Sequence, residues 1–148
     1  MTVHCIRAGS VTETVETLIQ TIVSDYLPGS SSSYSIIQTD SQVDWENIFI
    51  QLADKEGVLL ILAIGDIDPA GFVPDATMAV CHKLFPGFGT LLRQTALPNN
   101  PAALLWRNTA GLHNQTLIVN LPDDQEAIRA GLPLLFPAIP NAVRLAGG

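Results

Sequence analysis

Gly57-Val-Leu-Leu-Ile-Leu-Ala-Ile-Gly65 is an unbroken apolar run closed at both ends by glycine. A strand with one wet face alternates apolar and polar side chains, and this run does not. Its continuity is that of a central parallel strand covered on both faces. Leu60 and Ile61, which point to opposite faces of such a strand, are both expected to be buried. The apolar part, Val58 to Ile64, is far too short to cross a bilayer.

Toward the N-terminus, Ser41 is expected to cap a helix with the buried stripe Trp45, Ile48, Phe49, Leu52 and Ala53. Tyr34 to Gln38 reads as the strand before it. Ser30 to Ser33 reads as a flexible connector after Pro28-Gly29 ends an earlier helix. That helix carries Val11, Val15, Leu18, Ile19, Ile22, Val23 and Tyr26 at helical spacing. Ser10 and Glu13 form a capping box at its start. Val3 to Ala8 is a first short strand.

Toward the C-terminus, Asp66 to Gly71 is a loop. Pro74 opens a helix with Ala76, Ala79, Val80 and Leu84 on one side. Pro86-Gly87 breaks it, and Phe88, Leu91, Leu92, Thr95 and Ala96 mark the next helix. Pro98-Asn-Asn-Pro101 precedes a short helical turn around Leu104, and Gly111-Leu-His-Asn114 reads as a turn with His113 on the surface. Thr116 to Leu121 is a last clear strand, expected beside the central one. Asp123 with Glu126 caps a final helix through Ile128, Leu132, Leu135 and Phe136, kinked or shortened at Pro133. Strands alternating with helices over short loops specify an α/β, three-layer domain with a mainly parallel central sheet, one domain over residues 1–148.

Composition narrows the function. Charged residues are only 14% of the chain against about 25% in ordinary domains. So few charges point to a surface covered by further copies of the chain, a symmetric oligomer. The net charge is −7 and no Lys/Arg cluster exists, which excludes a nucleic-acid footprint. Cys5 and Cys81 form no CxxC pair, and the first residues lack the apolar run of a secretion signal. A reduced cytoplasmic compartment, with no membrane association, is the expectation.

Ligands in open α/β sheets sit beyond the carboxyl ends of the strands. Three such ends stand out: Ala8-Gly9-Ser10, Gly65-Asp66-Ile67-Asp68 and Asn120-Leu121-Pro122-Asp123. Each feeds a loop or helix start whose free backbone amides suit a phosphate.

Pro74-Asp-Ala-Thr77, Pro86-Gly-Phe-Gly-Thr-Leu-Leu-Arg-Gln94 and Leu117-Ile-Val-Asn-Leu-Pro122 follow one another at fitting spacing. Together they resemble the molybdopterin adenylyltransferase (MoaB/Mog) family of molybdenum cofactor biosynthesis, over roughly Val58 to the C-terminus. The resemblance implies the same three-layer architecture and a homotrimer, working beside other proteins of that biosynthesis. It implies a nucleotidyltransferase using ATP, Mg2+ and molybdopterin. It places ligand contacts at Gly65, Pro86, Gly87, Phe88, Gly89, Arg93, Asn120, Pro122 and Asp123. Asp66 and Asp68 are the candidates for catalysis and for holding the metal ion.

The chain also departs from the pattern. Where the family carries a Gly-Gly-Thr-Gly turn, this sequence has Ala63, Ile64, Gly65 and Asp66. Gly71 stands where the family places an acidic residue, with Asp68 three positions earlier. Asp123-Asp124 replaces the glycine and small residue that follow the Asn-Leu-Pro strand end, and carboxylates repel a phosphate there. The Ser-x-Ser-Asp/Ser-Asp-Arg turn after the first strand is replaced by Ala8-Gly9-Ser10-Val11-Thr12. These changes lead to a degenerate, weakly active or non-catalytic relative. The alternative is an active Mg-ATP-dependent enzyme whose loop has recruited Asp68.

Other constellations are weaker. Asp66-x-Asp68 also reads as a solvated acidic turn. His4-Cys5 and Cys81-His82 contain zinc-ligand types, but adjacent residues on a strand point apart, and buried apolar cysteines explain them better. Gly147-Gly148 is similar to the tail of ubiquitin-like sulfur carriers, whose fold nothing else here matches.

Overall fold

The structure is a computed structural model that describes residues 2–55 and 57–147, and the side chains of all of these except 146 and 147. The Gly148 half of the terminal glycine pair lies outside the described residues. The elements are β1 (Thr2–Ala8), α1 (Glu13–Tyr26), β2 (Ser31–Ile37), α2 (Gln42–Ala53), β3 (Val58–Ile64), α3 (Val73–Val80) and β4 (Lys83–Leu84). They continue with α4 (Pro86–Ala96), a 3-10 turn (Pro101–Leu105), β5 (Ala110–His113), β6 (Thr116–Leu121), α5 (Gln125–Leu135) and α6 (Ile139–Gly147).

The apolar run is β3, with the bounds its composition predicts. It lies between β1 and β6 in a sheet of order β2-β1-β3-β6-β5-β4. β2, β1, β3 and β6 are parallel, while β5 runs antiparallel to both β6 and β4. Leu60 and Ile61 are both 0% exposed, so both faces of β3 are covered. Right-handed crossovers put α1 and α2 on opposite faces. α5 packs on α1 and α4, and α3 packs on α2, completing three layers. Trp45 and Phe49 on α2 are buried as a tilted pair 5.8 Å apart, with Phe49 contributing about 1.5–3 kcal/mol by removal of apolar surface from water.

Several local expectations are corrected. Thr12, not Ser10, caps α1: its Oγ1 accepts a hydrogen bond from Val15 N at 3.4 Å. Ser31–Ser33 is not a connector but the start of β2, because pairing with Thr2–His4 satisfies its backbone whatever its side chains. Ser41 occupies the N-cap of α2 without a capping bond, and Thr39 Oγ1 instead accepts from Ser41 N at 3.1 Å. Leu84 belongs to β4 rather than α3. Pro86 does not break a helix but opens α4, where its missing N–H costs nothing. His113 is on a strand: Ala110–His113 forms a hairpin with β6 around Asn114, whose φ is 54°, and His113 Nδ1 meets Val80 O at 2.7 Å. The cap of α5 is Asp124, not Asp123. α5 continues through Pro133 to Leu135, and α6 follows it unforeseen.

Candidate functional site

Parallel pairing brings the ends of β1, β3 and β6 together. Gly65 N donates to Leu121 O at 2.8 Å, joining the exits of β3 and β6. Gly65 has a φ of 89°, and a methyl there would meet Val11 Cγ2 at 2.5 Å. Glycine is thus required twice, for the left-handed backbone and for close approach of the turn after β1.

Asp66 follows at φ 58° and turns its carboxylate inward: Oδ2 accepts from Phe72 N at 3.0 Å. Asp68 Oδ1 accepts from Ala70 N at 3.1 Å, and Gly71 N closes the turn onto Asp68 O at 2.9 Å. A side chain at Gly71 would run into the Asp66 carbonyl. An acidic residue at that position does not fit the loop as it is wound.

At the end of β6, Asn120 is fully buried and bonded through both ends of its amide. Its Nδ2 donates to Thr77 Oγ1 at 2.8 Å, and its Oδ1 accepts from Thr109 N at 3.1 Å. It therefore fixes α3 and the chain before β5 to the sheet. Pro122 is buried and Asp123 exposed. Burial of part of the Asp123 carboxyl raises its pKa, a hydrogen bond from the Thr12 backbone lowers it, and neighbouring Asp124 raises it; the net shift is upward. Asp124 Oδ1 caps α5 through Ala127 N at 2.9 Å, while Oδ2 accepts from Asn100 Nδ2 at 2.9 Å.

The expected α4 residues stand apart from these ends. Pro86 and Gly87 are exposed in its first turn, and Phe88 stacks on Phe85 at 6.2 Å. Gly89 is buried, and a side chain there would strike the Asn108 carbonyl. Arg93 Nη1 donates to that carbonyl at 2.8 Å and to Asn108 Oδ1 at 3.1 Å. Burial pulls the Arg93 pKa down. Arg93 lines a cavity of about 180 Å3 with Thr90, Gln94, Leu97, Ala103 and Leu104.

A second, polar cavity of about 250 Å3 lies at the strand ends, lined by Ala8, Gly9, Ser10, Ile37, Gln38, Thr39 and Asp66. It shares no residue with the Arg93 cavity. Sequence reasoning missed the contribution of β2, Gln38 and Thr39. The available signal was only that these residues follow an apolar pair, Ile36-Ile37.

Among the described residues no three His, Cys, Asp or Glu side chains gather to hold a metal ion. Asp66 and Asp68 each bind one oxygen to their own loop. Mg2+ is ordinarily held by one or two carboxylates together with waters and substrate phosphates, so these two residues would hold it only with such further ligands. Burial pushes the Cys5 and Cys81 thiols up to about 12, so neither is a thiolate ligand or nucleophile at neutral pH.

Relatives decide the lineage. No protein-family model matches the chain. A molybdopterin adenylyltransferase of Helicobacter pylori (strain ATCC 700392 / 26695) is 40% identical over 129 residues, spanning 86% of this chain and 73% of that one. This chain belongs to the molybdopterin adenylyltransferase family. The Escherichia coli (strain K12) relative of that name is 36% identical over 106 residues, 70% of this chain and 54% of the other. Among solved structures, the MoaB enzyme of Thermus thermophilus superposes with a TM-score of 0.80 at 26% identity, covering 98% and 95% of the two chains. The Mog protein of Mycobacterium ulcerans gives 0.83 at 25%, covering 98% of each. The MoaB/Mog architecture thus extends across the N-terminal half, which the sequence motifs left uncovered.

Proposed function

We propose that this chain acts in molybdenum cofactor biosynthesis as a molybdopterin-binding-type domain of residues 1–148 with little or no adenylyl-transfer activity. We further propose that it works as a cytoplasmic homotrimer. The observation that carries the reading is the use of the chain's own carboxylates at the strand ends. Asp66 takes the Phe72 amide, Asp68 the Ala70 amide and Asp124 the Ala127 amide. These are amides of the sort that hold a phosphate at a helix or loop start. A ligand phosphate would have to displace an internal carboxylate and then lie beside it, like charge against like.

The experiment is a turnover assay with ATP, Mg2+ and molybdopterin, following pyrophosphate. The expected result is release at least about a hundredfold below that of an active relative, the scale of losing one charge-stabilising group. Ordinary turnover that Asp68→Asn abolishes would instead establish the active enzyme with a rewired loop.

A further inference from the structure

One side of the sheet ends in β4, only two residues long, and the other in β2, seven residues long. β2 stays in register with Thr2–Ala8 along its whole length, so no bulge twists it away. Its sequence, Ser31-Ser-Ser-Tyr-Ser-Ile-Ile37, carries no charge and no proline, two devices that blunt an exposed edge. Gly9 N donates to Ile37 O at 2.9 Å, so Ile37 turns its backbone groups toward β1. Alternation along the strand does the same for Ser31, Ser33 and Ser35. Ser32, Tyr34 and Ile36 therefore present their N–H and C=O groups outward. Among the described residues no strand pairs with that outer side. The Ser33 and Ser35 hydroxyls are taken up by the His4 ring, at 2.6 and 2.9 Å. On the opposite face Tyr34 and Ile36 are 40% and 57% exposed.

We propose that the outer edge of β2 docks an extended segment of another protein, uncharged where it pairs with residues 32–36 and flanked by lysine or arginine. Such a segment takes its affinity from main-chain hydrogen bonds and its specificity from alternate side chains. Those on the face of Tyr34 and Ile36 are apolar, and those beside Ser33 and Ser35 are small.

Charge chooses between this occupant and a second copy of the chain. Residues 8–54, which include α1, β2 and α2, hold seven acidic side chains and no lysine or arginine. The other seven acidic and seven basic residues of the chain cancel, so the whole net charge of −7 belongs to the segment built around this edge. Glu13, Asp25, Asp40, Asp44 and Asp54 are exposed, and among the described residues only Glu16 of the seven is in an ion pair, with Arg7. A second copy would bring the same acids against these, like charge on like. Basic flanks on a different chain turn that repulsion into attraction, which selects the partner and rejects the copy.

Fluorescence anisotropy on the full chain tests this with a labelled peptide whose Thr-Val-Thr-Val-Thr core lies between paired lysines. This peptide is expected to bind, and the same core between paired glutamates to bind at least about tenfold more weakly. Raising salt from about 0.1 to 1 M shortens the screening length from ~10 to ~3 Å and should weaken the lysine peptide. Proline at the centre of the core removes a ladder donor and should abolish binding. Asp25→Lys combined with Asp40→Lys, at the two ends of β2, should narrow the gap between the lysine and glutamate peptides. Hydrogen exchange reads the edge directly: the amides of Ser32, Tyr34 and Ile36 should slow at saturating peptide, while those of Ser33 and Ser35 stay as they are. No binding, equal affinity for the two charges, undiminished binding of the proline peptide, or protection that leaves β2 unchanged would each overturn the inference. So would a rise above three chain masses with concentration that the lysine peptide reverses, because copies would then be joining through their own edges.

Discussion

His4 sits on β1 with both ring nitrogens against serines of β2, Nδ1 2.6 Å from Ser33 Oγ and Nε2 2.9 Å from Ser35 Oγ. Burial, and then the charge of Lys55, lower its pKa. The folded protein therefore favours neutral imidazole, and the unfolded chain binds more protons below about pH 6.5. Stability from this group is present above that value and is lost as pH falls from it toward the lower folded pKa. Thermal melts from about pH 7.5 to 5.5, the range that brackets an ordinary histidine, are expected to show this loss, and His4→Gln to flatten it; parallel slopes would count against the account. The adjacent acids at the start of α5 differ in a testable way. Asp124→Ala removes a cap and should cost about 0.5–2 kcal/mol in denaturant unfolding. Asp123 has a raised pKa, so its charge is disfavoured by folding, and Asp123→Asn should be neutral or stabilising at neutral pH. A larger cost for Asp123→Asn than for Asp124→Ala would return the cap to Asp123.

Among the elements, β3 and β6 were legible to the residue: β3 is apolar throughout its seven residues, and β6 carries the apolar run Leu117-Ile118-Val119. β2 was not: Ser31-Ser-Ser33 has no pattern of its own and is a strand only because β1 lies beside it. The β5 hairpin was lost for a similar reason, since Ala110-Gly111 packs by smallness rather than by apolar alternation. A methyl at Gly111 would come 2.6 Å from Lys83 O. The caps of α1 and α5 were each misplaced to a nearby residue because the local sequence offers several oxygen-bearing candidates, and only backbone geometry chooses. Asn120 joins β6 to α3 and to the chain before β5. Asn120→Ala leaves Thr109 N without its buried acceptor and costs Thr77 Oγ1 a donor, at about 1–3 kcal/mol for each unsatisfied group. Unfolding should be easier by several kcal/mol, and hydrogen exchange should accelerate first at Thr109. A variant as stable as the parent would show that water or another side chain replaces the amide.

At the scale of the molecule, the placement of the candidate site's residues was half legible. Strand-end logic located Gly65, Asp66, Asp68 and Asn120, because β-strand carboxyl ends in a parallel sheet must emerge together. It could not foresee that Arg93 would turn toward Asn108 and a separate cavity, since helix rotation depends on packing of Gly89 against the chain before β5. The same limit applies to assembly. Several large apolar side chains lie open on the described surface, with Leu104 and Leu145 each 72% exposed and Leu105 61%. Charged residues that would keep such a surface solvated make up only 14% of the chain. Removing one of these leucines from water contributes about 1.5–3 kcal/mol, so a few of them at a shared interface outweigh the side-chain ordering that association demands. For the proposed homotrimer, sedimentation equilibrium at micromolar concentration is expected to return three times the 15.8 kDa chain mass. Dilution should lower that mass only where the apolar contact is outrun by translational entropy, and added salt should leave it unchanged, because few ion pairs are available to screen. A monomer at that concentration would overturn the proposed homotrimer, and a trimer that salt dissolves would mean that ion pairs rather than the exposed leucines join the copies.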